Sequence, residues 1–182
     1  MQHRATTEAL DIFKAPSALD AASVQDDDSA DRTDPHIDIL TTTLPVSADR
    51  AFELFCDLRR APEWVSVVRS VQILAEDSRG YATRAAFLAV LERGSIGYTL
   101  QYRPNRKTLA VTWESEPGAA VIVRGRAEFS PLGPRAAMLH YQLQLDVPIG
   151  SLPAWGDPFF DGHAASAVIG DFRDFVSRSK PI

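Results

Sequence analysis

From Ile37 onward, apolar and polar side chains mostly alternate at a period of two, the pattern of strands with one buried face. Ile37 to Leu44 opens the series, with Ile37, Ile39, Thr41 and Thr43 on one face. Pro45 ends that strand. Ser47 then stands where an N-cap is needed, and Ala51, Phe52, Leu54 and Phe55 recur at helical spacing. Pro62 is expected to begin a second short helical turn that ends near Trp64. Val67 to Ala75 reads as the next strand, and Asp77-Ser78-Arg79-Gly80 as a turn.

Tyr81 to Ala89 and Ser95 to Arg103 continue the series. Their apolar faces are Tyr81, Thr83, Ala85 and Phe87, then Ile96, Tyr98, Leu100 and Tyr102. Leu109, Val111 and Trp113 alternate with Thr108, Ala110, Thr112 and Glu114. Ala119 to Ser130 places Val121, Val123, Ala127 and Phe129 on one face, and Arg124, Arg126 and Glu128 on the other. Gly125 interrupts the apolar face and marks a bend, a bulge or space for a ligand. A bulge there would turn Arg124 or Arg126 inward. Ala137 to Val147 alternates Leu139, Tyr141, Leu143 and Leu145 against His140, Gln142, Gln144 and Asp146.

At the end of the chain the period changes to that of a helix. Asp157 is expected to cap it and Pro158 to begin it, and it runs to Val176. Phe160, Ala164, Ala167, Val168, Phe172 and Phe175 form its apolar stripe, and small residues fill much of its first half. A run of antiparallel strands with short turns makes a long curving sheet. The terminal helix is the one long element available to cover its apolar face. The fold class is therefore α+β, a curved antiparallel sheet of about seven strands around a C-terminal helix, with two short helices after the first strand.

This layout resembles the START-like helix-grip (SRPBCC) superfamily, and within it the polyketide cyclase/dehydrase and coenzyme Q-binding group. The resemblance is carried by Leu44-Pro45-Val46-Ser47-Ala48, by Phe52-Glu53-Leu54-Phe55-Cys56-Asp57, by Arg60-Ala61-Pro62-Glu63-Trp64-Val65, and by Asp146-Val147-Pro148-Ile149-Gly150. It covers residues 36 to 178. It implies a scaffold holding an apolar small molecule between sheet and helix, and by itself names no reaction. Trp64 has a purely structural reading, as a flat ring plugging one end of the sheet, and Asp57 one as the pin of the turn between the short helices.

Composition narrows the partners. A net charge of −5 disfavours nucleic acid or an anionic membrane as the main partner, because both require a basic face, and neither is expected. No stretch is long enough for stable membrane insertion, and the N-terminus lacks the apolar run of a signal peptide. Cys56 is the one cysteine, so no internal disulfide forms; with no leader, a cytoplasmic location is expected. Residues 1–35 differ from the rest. Ala15 to Pro35 is rich in Ala, Ser and Asp, with Asp26, Asp27 and Asp28 in a row. That composition reads as a disordered acidic tail, with 36–182 as the helix-grip domain. The other reading is a docking peptide for a protein partner, built on Ala9, Leu10 and Phe13, but so short an isolated helix is marginal.

Candidate chemistry is sparse. His3, His36, His140 and His163 do not pair at metal spacing, and Asp157 and Asp161 at a helix start answer the helix dipole, so no metal is expected. No Gly-rich phosphate motif is present, so no nucleotide cofactor is expected, and Ser151 and Ser166 belong to no recognisable triad motif. No catalytic residue is assigned. The expected ligand-binding residues are Tyr81, Phe87, Tyr98, Leu100, Trp113, Val123, Tyr141 and Leu143 from the strands, and Ala164, Val168 and Phe172 from the helix. Trp155 joins them, beside Leu152 and Pro153, in an apolar lip on the Pro148 to Gly156 loop where a ligand would enter. Such sites commonly enclose about 300–1,000 Å³. Three functions remain: a carrier or sequestering protein for a quinone, polyketide or lipid; a polyketide cyclase, aromatase or dehydratase; and a non-catalytic interaction module. The interior faces carry no carboxylate or histidine for acid–base work, which favours the first.

Overall fold

The computed structural model describes residues 37–91, 94–119, 121–146 and 164–179. The N-terminal stretch, the 148–156 loop with Trp155, the expected cap at Asp157 and the first part of the expected last helix, with Phe160, lie outside the described residues.

β1 (Ile37–Leu44) is followed by α1 (Ala48–Cys56) and a 3-10 turn (Leu58–Glu63). Six more strands follow: β2 (Val68–Glu76), β3 (Ala82–Leu91), β4 (Gly94–Asn105), β5 (Ala110–Ser115), β6 (Ile122–Gly133) and β7 (Ala136–Asp146). The described part of the last helix, α2, is Ala164–Arg178. All seven strands form one antiparallel sheet in the order β1-β7-β6-β5-β4-β3-β2. β2 to β7 are therefore a simple meander, while β1 joins beside the last strand and lies at the opposite edge from β2. The link between them must cross the sheet. That link is α1 and the 3-10 turn, with α1 packed on β6 and β7 and the turn packed on β2. α2 packs on β1 and β7. Between them, the helices close the inner face of the curved sheet, the helix-grip arrangement.

Local chemistry accounts for these elements. The Ser47 hydroxyl accepts a hydrogen bond from the Arg50 N–H at 3.3 Å, capping α1, whose Ala48, Ala51, Phe52, Leu54, Phe55 and Cys56 are buried. The Asp77 carboxylate accepts from the N–H groups of Arg79 and Tyr81, both at 2.9 Å, and closes the β2–β3 turn, where Gly80 takes a φ of 84°. Asn105 does the same for the β4–β5 turn, accepting from the N–H of Lys107 at 3.0 Å.

Ile37, Ile39, Thr41 and Thr43 share one face of β1, the outer one, where the isoleucines are 54% and 57% exposed; Leu44 points into the core and Leu40 packs against it. Three expectations are corrected. The helical turn before Trp64 begins at Leu58 and contains Pro62 in its interior. The turn is short, so the N–H that proline lacks costs at most one internal hydrogen bond. Ala167 is exposed, and the buried side of α2 is Ala164, Ala165, Val168, Ile169, Phe172, Phe175 and Val176. Strand β5 begins at Ala110, because Leu109 adopts a φ of 48° that breaks the extended run.

Candidate ligand cavity

The inner faces of the strands meet α1, the 3-10 turn and α2 around a dense aromatic cluster. Phe55 is its hub, with ring centroids 5.2 Å from Trp64, 5.7 Å from Trp113, 5.6 Å from Phe129 and 5.3 Å from Phe172. Trp64 also meets Phe172 edge-on at 4.8 Å. Trp64 is 5% exposed, and its indole N–H has no hydrogen-bond partner among the described residues.

Beside this cluster lies a cavity of about 110 Å³. Its strand walls are Phe87, Ala89 and Leu91 of β3, Ile96, Tyr98, Leu100 and Tyr102 of β4, Trp113 of β5, Val123 of β6, and Tyr141, Leu143 and Leu145 of β7. Val121, just before β6, adds to them. Val168 of α2 and Phe55, Leu58, Ala61, Trp64, Val65, Val67 and Val68 complete the lining. The lining contains no charged side chain among the described residues. The volume is below the expected range and close to that of a cavity holding one benzene-sized ring, typically about 150 Å³.

Stacked aromatic pairs form one wall. Phe87 and Tyr98 are parallel within 8° at 5.3 Å, and Tyr102 and Trp113 stack at 6.2 Å. Trp113 also lies 5.5 Å from Tyr141. Gly125 sits opposite Trp113 in the β5–β6 ladder, and a Cβ added there would lie 2.1 Å from the Trp113 ring. The space left by this glycine is thus filled by an indole. Pairing around Gly125 is regular, so no bulge turns the arginines: Arg124 and Arg126 are exposed on the outer face, where Arg126 pairs with Glu128.

Burial controls the tyrosines. It pushes the Tyr98 hydroxyl up to about 12 and Tyr102 well above its ordinary value. It raises Tyr141 as well. All three stay protonated at neutral pH and are hydrogen-bond donors. The buried Cys56 thiol is likewise pushed up to about 12 by burial and then by the Glu53 carboxylate, and is unreactive as a thiolate near pH 7.

The cavity brings together Phe87, Tyr98, Leu100, Trp113, Val123, Tyr141, Leu143 and Val168 of the expected residues. It does not include Tyr81, Ala164 or Phe172. The Tyr81 hydroxyl donates to the Glu53 carboxylate at 2.8 Å, tied to a polar cluster in which Arg106 contacts Glu53 at 2.9 Å and Asp49 at 2.6 Å. Phe172 is fully buried against Phe55 and Trp64, and Ala164 is part of the same core. Periodicity finds an inward face but cannot tell core from cavity wall along it. The wall residues that sequence reasoning missed come mainly from the Leu58 to Val68 segment and from the ends of β3, β4 and β7. The apolar residues near Trp64 were the available signal.

The family model for polyketide cyclase, dehydrase and lipid transport proteins matches residues 40–180. The chain belongs to this family. None of the curated proteins matches it. Among solved structures, a START superfamily protein from Mycobacterium smegmatis is similar at 19% identity and a TM-score of 0.67, over 80% of this chain and 99% of that one. A Thermus thermophilus protein is similar at 14% identity and a TM-score of 0.65, over 80% and 100%. An aromatase/cyclase from Streptomyces sp. R1128 is similar at 13% identity and a TM-score of 0.63, over 79% and 95%. Identities this low establish the shared fold of the polyketide cyclase/dehydrase family and its START-like relatives, and leave the ligand of each member to its own cavity.

Proposed function

We propose that this protein binds a hydrophobic small molecule, aromatic or isoprenoid and of quinone, polyketide or lipid type, as a carrier or sequestering protein. The observation carrying this reading is the lining of the cavity: aliphatic and aromatic side chains, with tyrosine hydroxyls and indoles as the polar groups among the described residues. A cyclase or dehydratase needs a group whose pKa lies near the working pH. The Tyr98 hydroxyl, pushed up to about 12, orients a ligand's carbonyl or hydroxyl oxygen by donating to it, and does not serve as a base near neutrality. The family description includes lipid transport, which is the same kind of task.

The second reading, polyketide cyclisation or aromatisation in the same cavity, is favoured by the aromatase/cyclase among the similar structures. Incubation with a lipid and quinone extract, repurification and mass spectrometry separates the two. Retention of an unmodified apolar compound, weakened by Tyr98→Ala and by a ring placed in the cavity with Val123→Phe, is the expected result. Turnover of a polyketide substrate, abolished by Tyr98→Phe or Tyr141→Phe, would make the protein an enzyme. If nothing apolar is retained and the variants behave like the wild type, the interaction-module reading takes its place.

A further inference from the structure

We infer that the pair Gly125 and Trp113 sets the width of the cavity and restricts its ligand to one flat, uncharged ring; this rests on the ligand-binding reading above and specifies its substrate class. Gly125 is an interior residue of β6, paired with Trp113 on one side and Leu143 on the other. Its φ is not in the left-handed region, so the backbone does not call for glycine. A glycine within a strand forfeits side-chain packing and marks a close approach. Here the approach is the indole of Trp113, whose Cζ2, Cε2 and Nε1 would lie 2.1, 2.3 and 2.7 Å from a Cβ at this position.

The indole has few ways to yield. Phe55 stands 5.7 Å away, Tyr141 5.5 Å and Tyr102 6.2 Å, all closely packed with it. Trp113 also lines the cavity, so there is open space on that side of the indole. Any side chain at position 125 therefore drives the indole into the ligand space, and any shorter side chain at position 113 enlarges that space. With the indole seated on Gly125, the volume of about 110 Å³ matches one ring. The absence of charged groups from the described lining sets the ligand's charge, because an unpaired ion would lose its hydration with nothing to replace it.

The test is a ligand series measured by calorimetry on the full chain: p-cresol, 2-naphthol and an anthracenol, on the wild type, Gly125→Ala, Trp113→Leu and the double variant Gly125→Ala/Trp113→Phe. Thermal midpoints confirm that each variant is folded. The wild type is expected to bind p-cresol at least tenfold more tightly than the three-ring compound. Gly125→Ala should lose tenfold or more of p-cresol affinity, the double variant should recover it, and Trp113→Leu should shift preference to 2-naphthol by tenfold or more. Unchanged size preference in both Gly125→Ala and Trp113→Leu overturns the inference. If the wild type binds none of the series, the ligand-binding reading fails for aromatic ligands, and the crystal structure of Gly125→Ala still decides the inference. An indole shifted into a smaller cavity supports it. An indole displaced elsewhere with the cavity intact overturns it.

Discussion

Trp64 illustrates how one residue serves both core and cavity. It is packed against Phe55 and Phe172 and also lines the ligand space. Trp64→Ala is expected to cost about 3–5 kcal/mol in denaturant unfolding, the range for a fully buried large ring. Trp64→Phe should cost clearly less, because it keeps an aromatic ring and the indole N–H has no hydrogen-bond partner among the described residues to forfeit. Equal losses would show that the N–H is satisfied in solution. The tyrosines set a pH dependence with a definite sign. Tyr98 is raised from 10.0 to about 12 in the folded protein, so the unfolded chain releases its proton first as the solution becomes alkaline. Its stabilising contribution is complete below pH 10 and is lost as the pH rises toward 12; Tyr102 and Tyr141, raised in the same direction, extend the loss. Unfolding free energies measured across this range should fall with pH, and Tyr98→Phe should flatten the slope. These residues were legible in the sequence as an inward row of tyrosines. That Tyr81 leaves the row to bond Glu53 was not, because Glu53 comes from α1 and meets it only after folding.

At the scale of elements, the short helix α1 carries more than its length suggests. With the 3-10 turn it forms the link that crosses the sheet from β1 to β2, so its start fixes where Phe52 and Phe55 enter the core. Ser47→Ala removes the one side-chain cap at that start and is expected to cost about 1 kcal/mol, read as a lower denaturation midpoint with unchanged slope. Ser47→Asp should retain the stability, since it preserves an acceptor at the cap. Loss of more than about 2 kcal/mol in Ser47→Ala would mean that the whole bridge unseats. Strand and helix placement was largely visible from periodicity, and the N-cap from Ser47 alone. Boundaries shifted where backbone geometry intervened: Leu109 is left-handed and delays β5, and Pro62 sits within a 3-10 turn that starts at Leu58.

For the whole molecule, we propose that the helix-grip domain folds without the residues before His36. That segment, with Asp26, Asp27 and Asp28 adjacent and few large apolar side chains, has too little to bury to sustain a core. Truncation before His36 is expected to change the thermal midpoint by less than about 4 °C, a free-energy change of roughly 1 kcal/mol for a domain of this size. A larger fall would show that the segment stabilises the domain. No helix among the described residues is long and apolar enough to cross a membrane. The alternation of apolar and polar residues determined the strands and their inward faces, free of charged side chains among the described cavity-lining residues, because each depends on local period and side-chain type. Tertiary structure alone decided which inward residues are core and which face empty space. Phe172 and Val168 lie one helical turn apart on the same side of α2, yet the first is sealed by Phe55 and Trp64 while the second borders the cavity. It likewise decided that the gap at Gly125 is filled by Trp113. Sequence order does not encode the distance between a glycine on one strand and an indole on its neighbour; the register of β5 against β6 does.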